Sequence, residues 1–197
     1  MNLSHVERGD SFVRLAPMTE AHAKPLAALA DAHPGLFAHW PRDVSGGYEA
    51  EAAWQLQEQA EGRFIAHVVF DSSGRLVGQT CYLALRPAHA GVEIGATWYA
   101  PDVQGTAVNP AAKRLMLSHA FARGAERVEL KTDANNNRSR AAILKMGAQF
   151  EGVFRRHMKR PNGTWRDTAW YSVIREDWPT VRAGLDDRLA AFAAQRS

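Results

Sequence analysis

Over the seven positions Gln104-Gly105-Thr106-Ala107-Val108-Asn109-Pro110 the residue types change from loop formers to helix starters. Such a junction suits one chemistry above all, the binding of an anion. The first N–H groups of a helix have no intrahelical partners, and the helix dipole is positive there. Gly105 permits a positive φ or a close ligand approach, Asn109 is a favoured N-cap, and Pro110 at the first helical position loses no hydrogen bond. Thr106, Ala107 and Val108 complete the cradle. Lys113, one turn before Met116 and Leu117, would bring an ammonium toward a phosphate. The Gly-Lys-Ser/Thr ending of a nucleotide P-loop is absent, and so is the glycine spacing of a dinucleotide fingerprint. Taken alone, the junction reads equally well as an ordinary capped helix.

Other reactive residue types offer less. Cys81 is the only cysteine, has no internal disulfide partner, and sits in the strand-like run Gln79-Thr80-Cys81-Tyr82-Leu83, so it reads as a small core residue in a reducing, cytoplasmic setting. The eight histidines, His67 and His89 among them, include no pair at metal-ligand spacing, and no metal is expected. Hydrophobic residues make up 46% and charged residues 23%, the balance of an ordinary globular chain. No stretch approaches the roughly 20 apolar residues of a membrane span. A net charge of +3 suits an anionic ligand. Arg155, Arg156, Lys159 and Arg160 fall on a hairpin whose alternation sends them to both faces, which permits nucleic acid without implying it.

The elements that must position the junction follow from periodicity. A strand at Phe12-Leu15 and a helix from Ala21 to Asp31, capped by Thr19, open the chain. Gly35 to Tyr48 is irregular and aromatic, the composition of a substrate entrance, and leads into a helix from Glu49 to Glu61. Strands at Phe64–Phe70, Leu76–Leu85 and Val92–Tyr99 form an antiparallel meander. After the junction come a helix from Pro110 to Arg123, a strand from Arg127 to Thr132, a helix from Asn136 to Met146, and a strand from Phe150 to Met158. The turn Pro161-Asn162-Gly163 then leads to a strand from Asp167 to Ile174. Asp177 to Gln195 is an amphipathic helix with Leu185, Leu189 and Phe192 on one side; packing on the domain is its first reading and a homodimer contact its second. The expectation is a single α/β domain spanning 1–197, with a mixed sheet, its core at about 12–178 and helices on its faces.

Three ordered blocks give this pattern a family resemblance. They are Glu93-Ile94-Gly95-Ala96-Thr97-Trp98-Tyr99-Ala100-Pro101 running into Gln104-Gly105, then Asn136-Asn137-Arg138-Ser139 with Lys145-Met146-Gly147-Ala148, and last Arg166-Asp167-Thr168-Ala169-Trp170-Tyr171-Ser172-Val173. Together they resemble the GNAT acyltransferase superfamily, and within it the RimJ and RimL type of ribosomal-protein N-terminal acetyltransferase. The resemblance covers roughly Phe12 to Trp178. It implies the GNAT fold, with acetyl-CoA or a related acyl-CoA bound in the V where the strands Val92–Tyr99 and Arg127–Thr132 part. It departs in three places: Ala107 and Asn109 replace small loop residues, the path from Glu93 to Gln104 is one residue longer than in that group, as a bulge would make it, and Ile143 stands where relatives carry a tyrosine.

What the resemblance implies for chemistry is acetyl transfer from acetyl-CoA to a primary amine, on a protein N-terminus or a small molecule, by direct attack. Glu93 is the candidate base, sharing a face with Gly95 and Thr97 if alternation holds. Main-chain N–H groups from Ala96 to Trp98 would meet the oxyanion. Trp98, Tyr99, Gln104, Gly105, Thr106, Ala107, Val108, Asn109 and Lys113 would line the cofactor site. Asn136 would contact pantetheine or cap its helix, and Ser139 would hydrogen-bond the CoA sulfur or pantetheine. The amine would enter past Gly35 to Tyr48 and the final hairpin. Two alternatives stand beside this reading: a CoA-binding module whose chemistry has lapsed, and a transferase using a different acyl-CoA.

Overall fold

The computed structural model describes residues 1–195. Five helices and eight strands follow one another as β1 (Arg8–Gly9), β2 (Val13–Pro17), α1 (Glu20–Asp31), α2 (Tyr48–Ala60), β3 (Ile65–Asp71), β4 (Leu76–Arg86), β5 (Gly91–Tyr99), α3 (Val108–Ala122), β6 (Arg127–Asp133), α4 (Asn137–Lys145), β7 (Gln149–Lys159), β8 (Trp165–Ile174) and α5 (Trp178–Ala194). The strands form one mixed sheet in the order β1-β2-β3-β4-β5-β6-β8-β7. Among the described residues only β5 and β6 run parallel. The expected elements are present, with β1 as an addition. It is two residues long and held by pairing to β2, Arg8 opposite Leu15, too short for any periodicity to show.

Two apolar layers flank the sheet. On one face α1 and α2 bury Leu26, Ala30, Tyr48 and Ala52 against Ala16, Ala66, Val68 and Cys81. On the other, Ala112, Met116, Leu117 and Ala120 of α3 and Val181, Leu185 and Leu189 of α5 cover Leu15, Val69, Val92, Ile94, Leu130 and Tyr171. The last helix thus packs on the domain, with Trp178 stacked on Phe121 at 5.4 Å between ring centroids. Burial of its leucines removes apolar surface from water at roughly 25 cal/mol per Å².

Local sequence explains where the first helices begin. Thr19 and His22 form a reciprocal cap at the start of α1, the imidazole taking the place usually held by Glu or Gln. The start of α2 is capped at a distance. Gly47 has no side chain to offer, and Asp31, at the end of α1, accepts the Tyr48 N–H at 2.8 Å. That bond ties together the two ends of the aromatic loop between α1 and α2.

Candidate active site at the parted strands

Strands β5 and β6 pair only at Gly91 with Arg127, Val92 with Val128 and Glu93 with Glu129. Beyond Glu93, β5 stays with β4 as far as Tyr99, while β6 stays with β8 as far as Asp133. The edge of β5 that faces β6 therefore has no strand partner past Glu93. Backbone N–H groups on that edge have no ladder partner on β6 among the described residues.

A bulge reshapes β5 at this point. Ala96 has φ +45°, and the register passes from Cys81–Gly95 to Gln79–Trp98, three residues of β5 against two of β4. The extra residue implied by the long path from Glu93 to Gln104 is thus a bulge. It is held from both sides of the sheet. Gln79 Nε2 donates to the Ala96 carbonyl at 3.1 Å, and Lys113 Nζ donates to Thr97 Oγ1 at 2.8 Å. The bulge also corrects one expectation. Glu93 and Gly95 share a face, but the inserted residue breaks alternation, so Thr97 turns to the α3 side to meet Lys113.

Glu93 is buried, and its Oε2 lies 2.7 Å from Lys131 Nζ on β6. Burial raises its pKa, opposed in part by the Lys131 charge. Gly95 leaves room for the carboxylate: a Cβ there would come within 2.7 Å of Glu93 Oε1. Lys131 in turn lies 4.7 Å from the centroid of the Trp170 ring. Sequence reading missed Lys131, because its meeting with Glu93 depends on the register of two strands distant in the chain, which neither strand encodes alone.

At the open end of the V the loop arrives as expected but the helix starts early. Gly105 has φ +78° and open space where a Cβ would lie. Helix α3 begins at Val108, so Asn109 and Pro110 stand second and third in it. Asn109 is therefore not the N-cap. Thr106 Oγ1 accepts the Val108 N–H at 3.3 Å while donating to the Val103 carbonyl at 2.6 Å, a local turn that brings the chain into the helix sooner. Pro110 still loses no bond, since the third N–H of a helix is unpaired anyway. Ala107 and Val108 bury their side chains, leaving only their backbone to a ligand.

Lys113 is a further correction. Its ammonium points away from the loop and into the sheet, buried beside Thr97 and Thr80, because it follows the apolar face of α3 inward. Burial pulls its pKa down to about 7. A basic group does reach the loop from elsewhere: Arg138, at the start of α4, donates to Gln104 Oε1 at 2.6 Å, and Gln104 Nε2 donates to the Tyr99 carbonyl at 2.8 Å. Asn136 is a cap, accepting the Ser139 N–H at 3.0 Å. The half-buried Ser139 hydroxyl forms no hydrogen bond among the described residues. Tyr99 is buried on the α3 side. Trp98 turns to the other face, where its Nε1 donates to Tyr48 Oη at 2.8 Å beside Phe37.

The aromatic loop and the hairpin tip meet around a cleft of about 360 Å³, lined by Phe37, Trp40, Asp43 and Tyr48 on one side and Arg160 and Asn162 on the other. Cys81 is fully buried, and burial pushes its thiol up to about 12, so it stays protonated near neutrality.

The sequence matches the family model of the acetyltransferase (GNAT) domain over residues 13–149. The chain belongs to the GNAT family. Its matched span runs through the bulge, the loop and α4. Among solved structures, this GNAT domain is similar to an acetyltransferase from T. thermophilus, at 34% identity with 96% of this chain and 100% of that one covered and a TM-score of 0.85. It is also similar to a GCN5-related N-acetyltransferase from Brucella melitensis, at 26% identity, 95% and 86% coverage and a TM-score of 0.85. Mycobacterium smegmatis RimJ, solved in complex with CoA-disulfide, shares the fold at 23% identity, 89% and 88% coverage and a TM-score of 0.76. No curated protein matches the sequence.

Proposed function

We propose that the chain transfers an acetyl group from acetyl-CoA to a primary amine, on a protein N-terminus or a small molecule, by direct attack. The observation that carries this reading is the parting of β5 and β6 immediately after Glu93, with an anion-binding helix start at the open end of the gap. The residues present fit CoA. Gly105 leaves its side of the loop open, the first-turn amides of α3 and the guanidinium of Arg138 suit phosphate, and the unpaired edge of β5 suits the amide groups of a pantetheine arm. RimJ, which shares the fold, is solved with a CoA derivative.

Acetyl-CoA supplies an acyl group activated as a thioester. Glu93 takes the proton of the attacking amine, directly or through water, and its raised pKa makes it a better base than an ordinary carboxylate. Backbone N–H groups of the bulged strand from Ala96 to Trp98 stabilise negative charge developing on the acyl oxygen. Ser139 offers its free hydroxyl to the sulfur, in place of the tyrosine whose position Ile143 occupies. The protonated thiol of Cys81 argues against a covalent acyl-enzyme. The test is thiol release from acetyl-CoA in the presence of a panel of primary amines. Amine-dependent release is expected; CoA binding without release on any amine would favour a lapsed module, and release with a longer acyl donor alone would reassign the donor.

A further inference from the structure

Three basic side chains crowd the sheet beside the aromatic loop, and two of them are matched to carboxylates. Lys131 is held by Glu93 at 2.7 Å and Arg160 by Asp133 at 2.6 Å. His39 Nδ1 also approaches Asp133, at 3.7 Å. Arg166 has no such match. It shares a face of β8 with Thr168 and Trp170 by alternation, is only 6% exposed, and forms no ion pair among the described residues. One amino group reaches the His39 carbonyl at a long 3.5 Å, and Nε has no hydrogen-bond partner. Trp170, on the same face of β8, lies 4.7 Å from Lys131 Nζ, which in turn holds Glu93, so this face of the sheet leads to the proposed base.

A guanidinium removed from water is costly unless it is paired, and its planar set of donors matches a carboxylate two by two. We propose that Arg166 recognises an anionic group on the acceptor, and that the amine acetylated here carries a carboxylate within a few bonds of its reacting nitrogen. An α-amino acid meets that description through its own carboxylate, and a peptide beginning with an acidic residue meets it through the side chain. The inference rests on the amine reacting beside Glu93, as proposed above. A purely structural Arg166, bracing the His39 carbonyl, would affect all acceptors alike.

The test uses matched acceptors with acetyl-CoA: alanine, leucine and phenylalanine, each as free acid, amide and decarboxylated amine, and the dipeptide amides Asp-Ala and Ala-Ala. Either the free acids or the acidic dipeptide should exceed its neutral counterparts in kcat/KM by about tenfold or more, and which one does identifies the source of the carboxylate. R166Q should erase that preference by raising the acceptor KM about tenfold or more, with the KM for acetyl-CoA unchanged, and R166K should restore part of it. Equal rates on acids, amides and amines would overturn the inference, as would a uniform loss in R166Q. If R166Q does not fold, the wild-type comparison decides alone. Binding gives a second readout, by calorimetric titration of the N-acetylated forms of these acceptors with CoA present. Failure of any acidic form to bind, or equal binding of acidic and neutral forms, counts against Arg166. Selective binding of acidic forms with no thiol release on any amine would instead defeat the transfer reading and leave the anion site standing.

Discussion

The proposed chemistry rests first on Glu93, whose carboxylate occupies the space that Gly95 leaves open. Replacing Glu93 by Gln should lower kcat/KM by about 10²-fold or more, the usual contribution of a general base. The wild type should lose activity as pH falls through a pKa raised by burial, and this acid limb should vanish in E93Q; an unchanged rate and pH profile would remove the assignment. Gly95→Ala would press its methyl against the Glu93 carboxylate, the flexible end of a side chain, so the carboxylate should move and the fold persist. Displacement on the order of 1 Å would cost about 10²-fold in rate. Kinetics alongside a urea unfolding curve would separate this from a loss of stability.

Lys113 is a test of linkage. Its folded pKa is lowered to about 7 from the ordinary lysine value of 10.5. Between those values the unfolded chain binds more protons than the folded one, so stability should rise as pH rises through that window, by at most about 1.4 kcal/mol per pH unit. K113M should lack this rise. Parallel unfolding midpoints for the two proteins across that window would show that the ammonium is not held in the interior.

Among the elements, the loop from Gln104 to Ala107 and the start of α3 act as one device. Gly105 lies at φ +78° with nothing near a would-be Cβ, so an added methyl meets only the backbone cost of the left-handed region, about 1 to 2 kcal/mol. Gly105→Ala should therefore destabilise the protein modestly and raise the KM for acetyl-CoA, with acceptor KM little changed. A variant unaltered in both would show that the loop's turn has no part in binding. The bulge in β5 is the second such device. One extra residue, Ala96, sends Thr97 to the α3 face and Trp98 to the aromatic loop, so the strand serves both sides of the sheet within a few positions.

On the scale of the whole molecule, the site exists because β5 and β6 are held by different neighbours once they separate. β5 follows β4 and β6 follows β8, and the gap between them is a product of sheet topology. Amides of β5 just past Glu93 should exchange hydrogen faster than those of its paired segment and gain protection when CoA is added. Protection unchanged by CoA would place the ligand elsewhere.

Much of this was readable from sequence alone. Period-two and helical patterns fixed by local sterics and burial identify nearly every element, the turn chemistry of Gly105 points to an anion-binding junction, and Glu93 as a base came from the family resemblance. The bulge showed only through the family resemblance, as one residue more between Glu93 and Gln104 than that group carries. What the chain could not show by itself is which side chains meet across elements. Asn109 looked like a cap, but the Thr106 turn onto the Val103 carbonyl starts the helix at Val108, with Ala107 at the N-cap. Lys113 looked available to a phosphate until the rotation of α3 turned it inward. Lys131 beside Glu93, Arg138 on Gln104 and the setting of Arg166 all depend on strand register and on the packing of distant segments, and those are settled only by the tertiary fold, where burial decides which charges are paired.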